Sequence, residues 1–250
     1  FGGKEESVLK SIPICEEYGD YDFLDFNCGC PVPKVIKQHS GSYWLNREDE
    51  LISLLRKMVT ISSKPVIVKI RIGYSSIMDI VPLCKRIEEA GVKAIAVHGR
   101  TRSEFFSSPV HYDVIKDIKK NVSIPVIANG EITQNNFQSV FNETDADAVM
   151  IGQHAIGYPK IFSDMIAIEE NRPVEETTIF SQLNDFRKHL DLIFSIKDER
   201  SAASIMRSFA VNYVKGFSDS KKYRNLLVHC SSKEEYLSAI KMIEGENSAR

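Results

Sequence analysis

Short apolar runs alternate along this chain with longer stretches whose apolar residues recur every three or four positions. The apolar runs predict five β-strands, at 21–26, 65–72, 94–97, 124–128 and 146–151. The longer stretches predict helices near 48–60, 77–90, 112–120, 133–142 and 158–169. Strands that are separated by crossover helices form a parallel sheet, so the first part of the chain belongs to the α/β class.

The pattern changes after residue 172. No strand-like run recurs there, and the segments 177–196, 201–217, 221–228 and 233–244 all predict helices. We therefore expect two domains, an α/β domain over 1–172 and an all-helical domain over 173–250.

A doubly wound sheet and a (β/α) barrel both fit the alternation, and the position of polar residues distinguishes them. A doubly wound sheet concentrates ligand contacts at one switch point, whereas a TIM barrel carries functional residues at the carboxyl ends of many strands. Here every predicted strand ends in polar residues or glycine: Asn27 and Cys30, Lys69 and Arg71, His98 and Arg100, Asn129 and Gly130, Gly152 and Gln153. The sequence therefore predicts a TIM (β/α)8 barrel. Because a barrel needs eight strands, we expect about three more N-terminal strands to precede Phe1.

Composition is that of an ordinary soluble globular protein. The 250 residues are 43% hydrophobic and 26% charged, with a net charge of −2. The apolar runs are too short to cross a bilayer, so no membrane association is expected. Five irregularly spaced cysteines argue against a disulfide framework and predict a reducing, cytoplasmic location.

Positive charge is concentrated near the C-terminal end of the chain. Between 200 and 224 the only carboxylate is Asp219, against six cations: Arg200, Arg207, Lys215, Lys221, Lys222 and Arg224. Such a cluster can bind nucleic-acid phosphates, and it can equally be a solvated helix face.

Two thiols follow the first predicted strand, in the segment Asp25-Phe26-Asn27-Cys28-Gly29-Cys30-Pro31. Cys30 lies on the loop that follows this strand, and a thiol in such a position can donate a proton to a bound substrate. The alternative is that Cys28 and Cys30 are ordinary buried thiols. Their C-x-C spacing lacks the paired pattern of structural zinc sites, so no metal is expected.

Other strand ends predict an anion site. Lys69 and Arg71 are two residues apart on one strand and project to the same face. Glycines after the last two predicted strands, Gly130 and Gly152, occupy the loops that commonly bind phosphate in barrels. His98 could be a core histidine, but its place at a strand end favours a role in the site.

Taken together, these motifs resemble the tRNA-dihydrouridine synthase family of flavoproteins. The resemblance rests on the segment from Asp25 to Pro31, with Lys34 and Gly41, and on four later motifs in the same order and spacing. These are Val68-Lys69-Ile70-Arg71, Val97-His98-Gly99-Arg100-Thr101-Arg102, Ile127-Ala128-Asn129-Gly130-Glu131-Ile132 and Met150-Ile151-Gly152. Arg207, Tyr213-Val214-Lys215-Gly216 and Arg224 are similar to the family's helical tRNA-binding domain.

The resemblance implies an FMN-dependent enzyme that uses NADPH to reduce the C5–C6 double bond of uridines in tRNA, with Cys30 as the catalytic acid. Separately from the resemblance, we expect the protein to be a monomer. It implies that the cofactor is bound by Lys69, His98, Asn129, Gly130, Glu131, Gly152 and Gln153. It implies that the substrate is bound by Asn27, Arg71, Arg100, Arg102, Arg207, Lys215, Lys221, Lys222 and Arg224. One departure is Gln153, where the family usually has an arginine that helps hold the flavin phosphate.

Two alternatives remain open at this point. One is another FMN barrel enzyme that acts on free pyrimidines, although such an enzyme has no need of a basic helical domain. The other is a catalytically inactive tRNA-binding protein, which Gln153 and the expected missing N-terminal strands suggest. A yellow colour in the purified protein would separate the enzyme from the inactive binder.

Overall fold

The computed structural model describes residues 1–248, and the chain forms two compact units. The first unit spans Phe1–Ile151 and the second begins at Gly152. The predicted division into an α/β domain over 1–172 and a helical domain over 173–250 stays a prediction.

Five parallel strands form the sheet of the first unit: β1 Leu24–Cys28, β2 Val66–Arg71, β3 Ile95–His98, β4 Val126–Asn129 and β5 Ala148–Met150. They lie in the order β1-β2-β3-β4-β5, and every neighbouring pair is parallel. A doubly wound sheet reverses its strand order at a switch point, whereas successive strands of a barrel always add on the same side. The sequential order confirms the predicted barrel-type fold.

Helices cross between these strands. The helices of the first unit are α1 Glu5–Tyr18, α2 Pro33–Ile36, α3 Glu48–Ile61, α4 Val81–Glu89, α5 Tyr112–Asn121 and α6 Phe137–Thr144, with a 3-10 helix at Gly41–Asn46. Helix α1 was not predicted. It contains Pro13 and buries only Val8 and Ile12, so its apolar periodicity is weak.

The pleat of the sheet separates a packing face from a polar face. Cys28, Val68 and Val97, which share one face of the sheet, are fully buried. Side chains that alternate with them project to the opposite face. The register pairs Asn27 with Lys69, Arg71 with His98, and His98 with Asn129, so the polar side chains of four strands converge at the carboxyl edge.

The second unit is helical among its described residues, as predicted for the C-terminal region. Its helices are α7 Ile161–Glu169, α8 Ile179–Ile196, α9 Glu199–Ala210, α10 Ser220–Val228 and α11 Lys233–Ser248, preceded by a 3-10 turn at Gln153–Ala155. Phe186 of α8 stacks on Tyr213 with ring centroids 4.9 Å apart, and it meets Tyr236 of α11 edge-on at 5.9 Å. These aromatic contacts lie in a buried core shared by α8, α9, α10 and α11. In the part of the chain described, no helix combines the length and apolarity needed to span a membrane.

Candidate active site at the strand ends

The loop after β1 is shaped by the side chain of Asn27. Its Oδ1 accepts hydrogen bonds from the backbone N–H groups of Gly29 and Cys30, both at 3.0 Å. This Asx turn ends the strand and turns the chain sharply at its carboxyl end. The carbonyl of Cys30 then accepts hydrogen bonds from the N–H and the hydroxyl of Ser42, at 3.1 and 2.9 Å. Cys30 is therefore fixed from both sides, by Asn27 and by Ser42.

Gly41 packs directly against Cys30. Its φ is +62°, a left-handed conformation that favours glycine. A Cβ at this position would lie 2.7 Å from the carbonyl oxygen of Cys30 and 2.9 Å from its Cβ. The 3-10 helix can therefore approach the Cys30 loop only because residue 41 has no side chain.

The two cysteines of the motif have different surroundings. Cys28 is fully buried on the packing face, and burial, with a smaller contribution from the charge of Asp25, raises the pKa of its thiol well above the usual value. Cys30 is half-buried and lies on the loop at the polar edge. Of the two, Cys30 is the thiol placed to meet a ligand.

Lys69 and Asn129 form the centre of the polar face. The Nζ of Lys69 donates to Oδ1 of Asn129 at 2.8 Å, and Nδ2 of Asn129 donates to the carbonyl of Met150 at 2.8 Å. The second hydrogen bond fixes the amide so that its oxygen faces the lysine. Burial, reinforced by the positive charge of Arg71, lowers the pKa of Lys69 to about 8, against a smaller opposing effect of Asp25. Lys69 is thus a partly desolvated cation that mostly keeps its proton at neutral pH.

Arg71 is buried and joins the loops that follow β1 and β3. Its Nε donates to the carbonyl of Gly29 at 2.9 Å, and its Nη1 donates to the carbonyls of Thr101 and Phe105 at 2.8 and 3.0 Å. Burial, with the nearby charge of Arg100, lowers the pKa of Arg71 to about 10. Arg71 was predicted to bind substrate, and the structure shows it holding the backbone of two loops at the strand ends.

His98 is buried among cations. Its Nε2 is fully enclosed and has no hydrogen-bond partner among the described residues. Burial, together with the positive charges of Arg71, Lys69 and Arg100, lowers the pKa of His98 to about 3, so the imidazole is neutral at physiological pH. An enclosed polar atom without a partner costs about 1–3 kcal/mol, and it is a natural contact for a ligand.

The turn after β4 is held by two side chains from neighbouring elements. The Nη2 of buried Arg100 lies 2.7 Å from Oε1 of Glu131, and the hydroxyl of Tyr112 donates to the carbonyl of Gly130 at 2.7 Å. Gly130 has a φ of +127°, and a Cβ there would press on Val110 and on the ring of His98. This backbone conformation brings the turn close to His98, which only glycine allows.

The loop after β3 is closed by a hydrogen-bonded carboxylate. Glu104 accepts from the N–H of Thr101 at 2.6 Å and lies 2.8 Å from Nε2 of His111. Burial alone would raise the pKa of Glu104, but these hydrogen bonds outweigh it and lower the pKa to about 2. Glu104, His111 and Tyr112 were not predicted as part of this region, because none of them ends a strand and no motif marks them.

The predicted residues of the second unit lie on its surface. Gly152 has open space around its Cα, and Gln153 is exposed at the start of the 3-10 turn. The predicted basic residues Arg207, Lys215, Lys221, Lys222 and Arg224 are all exposed. Lys222 of α10 pairs with Glu246 of α11 at 2.5 Å.

No group of three or more His, Cys, Asp and Glu side chains within residues 1–248 could hold a metal ion. All five cysteines are free thiols.

The polar edge of the sheet brings together the groups described above: a half-buried thiol, a partly desolvated lysine, a neutral histidine and a glycine turn.

Sequential parallel strands with chemistry at their carboxyl ends define a (β/α)-barrel-type protein. A family model described as dihydrouridine synthase (Dus) matches residues 1–247. The chain is 32% identical over 242 residues to tRNA-dihydrouridine synthase B of Pasteurella multocida (strain Pm70), covering 96% of this chain and 73% of that protein. It is also 32% identical over 220 residues to tRNA-dihydrouridine synthase B of Proteus vulgaris, covering 87% of this chain and 68% of that protein.

Among solved structures, the fold is similar to that of YagE, a prophage protein of the dihydrodipicolinic acid synthase family from E. coli K12. The TM-score is 0.51 at 12% identity, with 68% of this chain and 55% of YagE covered. At this identity the similarity concerns the fold alone. The sequence relationship is more specific, and this chain belongs to the dihydrouridine synthase family.

Proposed function

We propose that this protein is an FMN-dependent tRNA-dihydrouridine synthase that uses NADPH to reduce the C5–C6 double bond of uridines in tRNA in the cytoplasm. The observation that carries the proposal is the placement of Cys30. Asn27 and Ser42 hold this thiol at the end of β1, on the edge of the sheet where Lys69 lies opposite Asn27 in the register. Family membership and the names of the two relatives support the same reaction.

The reaction adds one hydride and one proton across the double bond. NADPH supplies the hydride and leaves as NADP⁺. We assign the proton to the Cys30 thiol, which would donate it to C5 and regain a proton from solvent. Cys28 is excluded from this role by its complete burial on the packing face.

The residues of the first unit fit a flavin. Lys69 is a desolvated cation, His98 presents an enclosed Nε2 without a partner, and Gly130 forms a turn that leaves no room for a Cβ. Lys69, His98, Asn129, Gly130 and Glu131 would hold the group. FMN, when bound, would supply the means of passing a hydride from the nicotinamide to the pyrimidine.

Side chains on the polar face would then position the bound groups and stabilise the charge that develops on them. The Lys69 ammonium would stabilise negative charge that develops on bound groups at the polar face, an electrostatic contribution that is strongest where water is excluded. Asn129 keeps the ammonium in place through the 2.8 Å hydrogen bond between the two side chains. Neutral His98 can donate or accept a hydrogen bond without adding a further positive charge beside Lys69 and Arg71.

The basic helical surface would bind the tRNA backbone. Lys215, Lys221 and Arg224 are exposed cations of the second unit. Contacts of this kind add affinity that depends on salt and is independent of sequence. The target uridine would have to leave the base stack to reach the thiol, as in other enzymes that modify bases.

The test is a turnover assay with the purified protein. An unmodified tRNA transcript is incubated with NADPH and FMN, and dihydrouridine is measured by mass spectrometry of the digested nucleosides. Dihydrouridine in the transcript supports the proposal. Binding of the transcript without dihydrouridine would favour an inactive RNA-binding protein, and reduction of free uracil in its place would favour a pyrimidine reductase.

A further inference from the structure

Arg102 occupies a defined place between the loops that follow β2 and β3. Its guanidinium carbon lies 5.3 Å from the centre of the Tyr74 ring, over the ring face. The N–H of Arg102 donates to the carbonyl of Gly73 at 2.9 Å, and that of Ser103 donates to the carbonyl of Tyr74 at 3.0 Å. The two loops are thus hydrogen-bonded to each other, and the arginine is held over the aromatic ring.

The backbone on both sides of this contact is constrained. A Cβ on Gly73 would lie 2.0 Å from the carbonyl oxygen of Ser76, so this turn requires glycine. On the other loop, the N–H of Thr101 donates to the carboxylate of Glu104 at 2.6 Å, and the N–H of Glu104 donates to the hydroxyl of Thr101 at 3.2 Å. Arg102 and Tyr74 are therefore presented by two fixed turns.

Within residues 1–248 the guanidinium of Arg102 forms no ion pair with a carboxylate. Its Nε is enclosed and has no hydrogen-bond partner there. The carboxylate closest in sequence, Glu104, is occupied by Thr101 and His111. An arginine that is stacked, fixed and short of acceptors is suited to bind a planar or tetrahedral anion through its fork of N–H donors.

We propose that Arg102, positioned by Tyr74, binds a backbone phosphate of the RNA substrate at the rim of the strand-end face. This rests on the proposed function and deepens it, because it assigns a phosphate contact to the first unit in addition to the basic helices of the second. The neighbouring residues Ser75, Ser76 and Ser103 are exposed, so the surface is open and polar, as suits an extended sugar–phosphate chain. NADPH also carries phosphates, and the experiment distinguishes the two sources.

The experiment measures binding of an unmodified tRNA transcript over a series of KCl concentrations. We expect Arg102→Gln to lower the slope of log Kd against log salt by about one, the change for one lost phosphate contact. Arg102→Lys should keep the slope while weakening binding, because it retains the charge and loses the planar fork. Tyr74→Ala should weaken binding in the same direction, whereas Tyr74→Phe, which keeps the ring, should not.

Arg56→Gln is the matched control, since Arg56 is an exposed arginine on α3. Its slope should equal that of the unaltered protein. An unchanged slope in an Arg102→Gln variant that is shown to be folded by circular dichroism would overturn the proposal. So would a raised KM for NADPH in flavin reduction with tRNA binding intact, because the phosphate would then belong to the dinucleotide. A lower slope in a protein that forms no dihydrouridine would uphold the phosphate contact and count only against the proposed reaction.

Discussion

Lys69 of β2 and Asn129 of β4 meet across the strand that lies between them. The residue of β3 that pairs with Lys69 is Ala96, whose small side chain leaves the lysine room to reach the amide oxygen at 2.8 Å. Asn129 in turn bonds the carbonyl of Met150 on β5. One amide therefore connects a half-buried cation to the backbone of β5, the last strand of the sheet.

The depressed pKa of Lys69 makes stability depend on pH. Folded Lys69 loses its proton near pH 8, whereas the unfolded side chain keeps it to about pH 10.4. Between these values the unfolded state binds more protons, so raising the pH favours the folded state by up to about 1.4 kcal/mol per pH unit from this residue.

Other groups titrate in the same range, and they contribute equally to the pH dependence of stability in the unaltered protein and in Lys69→Met. Comparing the two proteins therefore isolates the effect of Lys69. We measure the free energy of unfolding of both proteins by urea titration. From pH 8 to pH 10, we expect the value for the unaltered protein to increase relative to the value for the variant. A constant difference between the two proteins over this range would show that Lys69 titrates normally.

Cys30→Ala should abolish dihydrouridine formation while oxidation of NADPH through the flavin continues. The thiol is needed for the proton on C5, and the reductive half-reaction does not use it. Cys28→Ala is the control in the same motif, and should cost about 1 kcal/mol of stability with activity retained. If Cys28→Ala is inactive and Cys30→Ala is nearly normal, the assignment of the acid is wrong.

Gly130→Ala should lower both stability and flavin affinity. The residue has a φ of +127°, and the added Cβ would lie 3.0 Å from Val110 and 3.3 Å from Cδ2 of His98. We expect a loss of about 1–3 kcal/mol in the free energy of unfolding. Gly245→Ala in α11 is the matched control, since it meets nothing within 4 Å and should gain about 0.5–1 kcal/mol. Unchanged FMN binding in Gly130→Ala, measured by fluorescence, would remove this turn from the cofactor site.

Replacing Lys221 and Lys222 with alanine should raise the KM for tRNA and lower the salt slope of its binding. Each lost phosphate contact removes about one from the slope. Lys221 should contribute more than Lys222, because Glu246 already pairs with Lys222 at 2.5 Å. Lys188→Ala on α8 serves as the control, as another exposed lysine of this unit. A double variant with an unaltered slope would show that α10 presents a merely solvated face.

The strands could be predicted from the sequence because each is a continuous apolar run between polar or turn residues. Helix boundaries were less accurate. The predicted helix over 77–90 begins only at Val81, where Pro82 occupies the first turn, and the one over 201–217 ends at Ala210. The chain continues from there through a turn in which Gly216 has a φ of +90°. Apolar periodicity alone does not show where such turns interrupt a helix.

The candidate site was partly predictable for a similar reason. In a parallel sheet the strand ends share an edge, so polar residues after each strand were expected to meet, and Lys69, His98 and Asn129 do. Tyr74 and Glu104 could not be found in this way, because their positions depend on how two loops fold against each other. The guanidinium of Arg71 likewise binds loop carbonyls that are distant in sequence, such as that of Phe105.

Gly41 has a consequence for how substitutions in this protein would be interpreted. It has no functional group, yet any side chain there would displace the carbonyl and Cβ of Cys30. In a saturation scan scored by dihydrouridine formation, position 41 should tolerate almost nothing, with a profile like that of the acid itself. Position 41 would not tolerate substitution because there is no space for a side chain beside Cys30. Whether a residue takes part in the chemistry therefore has to be established by a separate measurement.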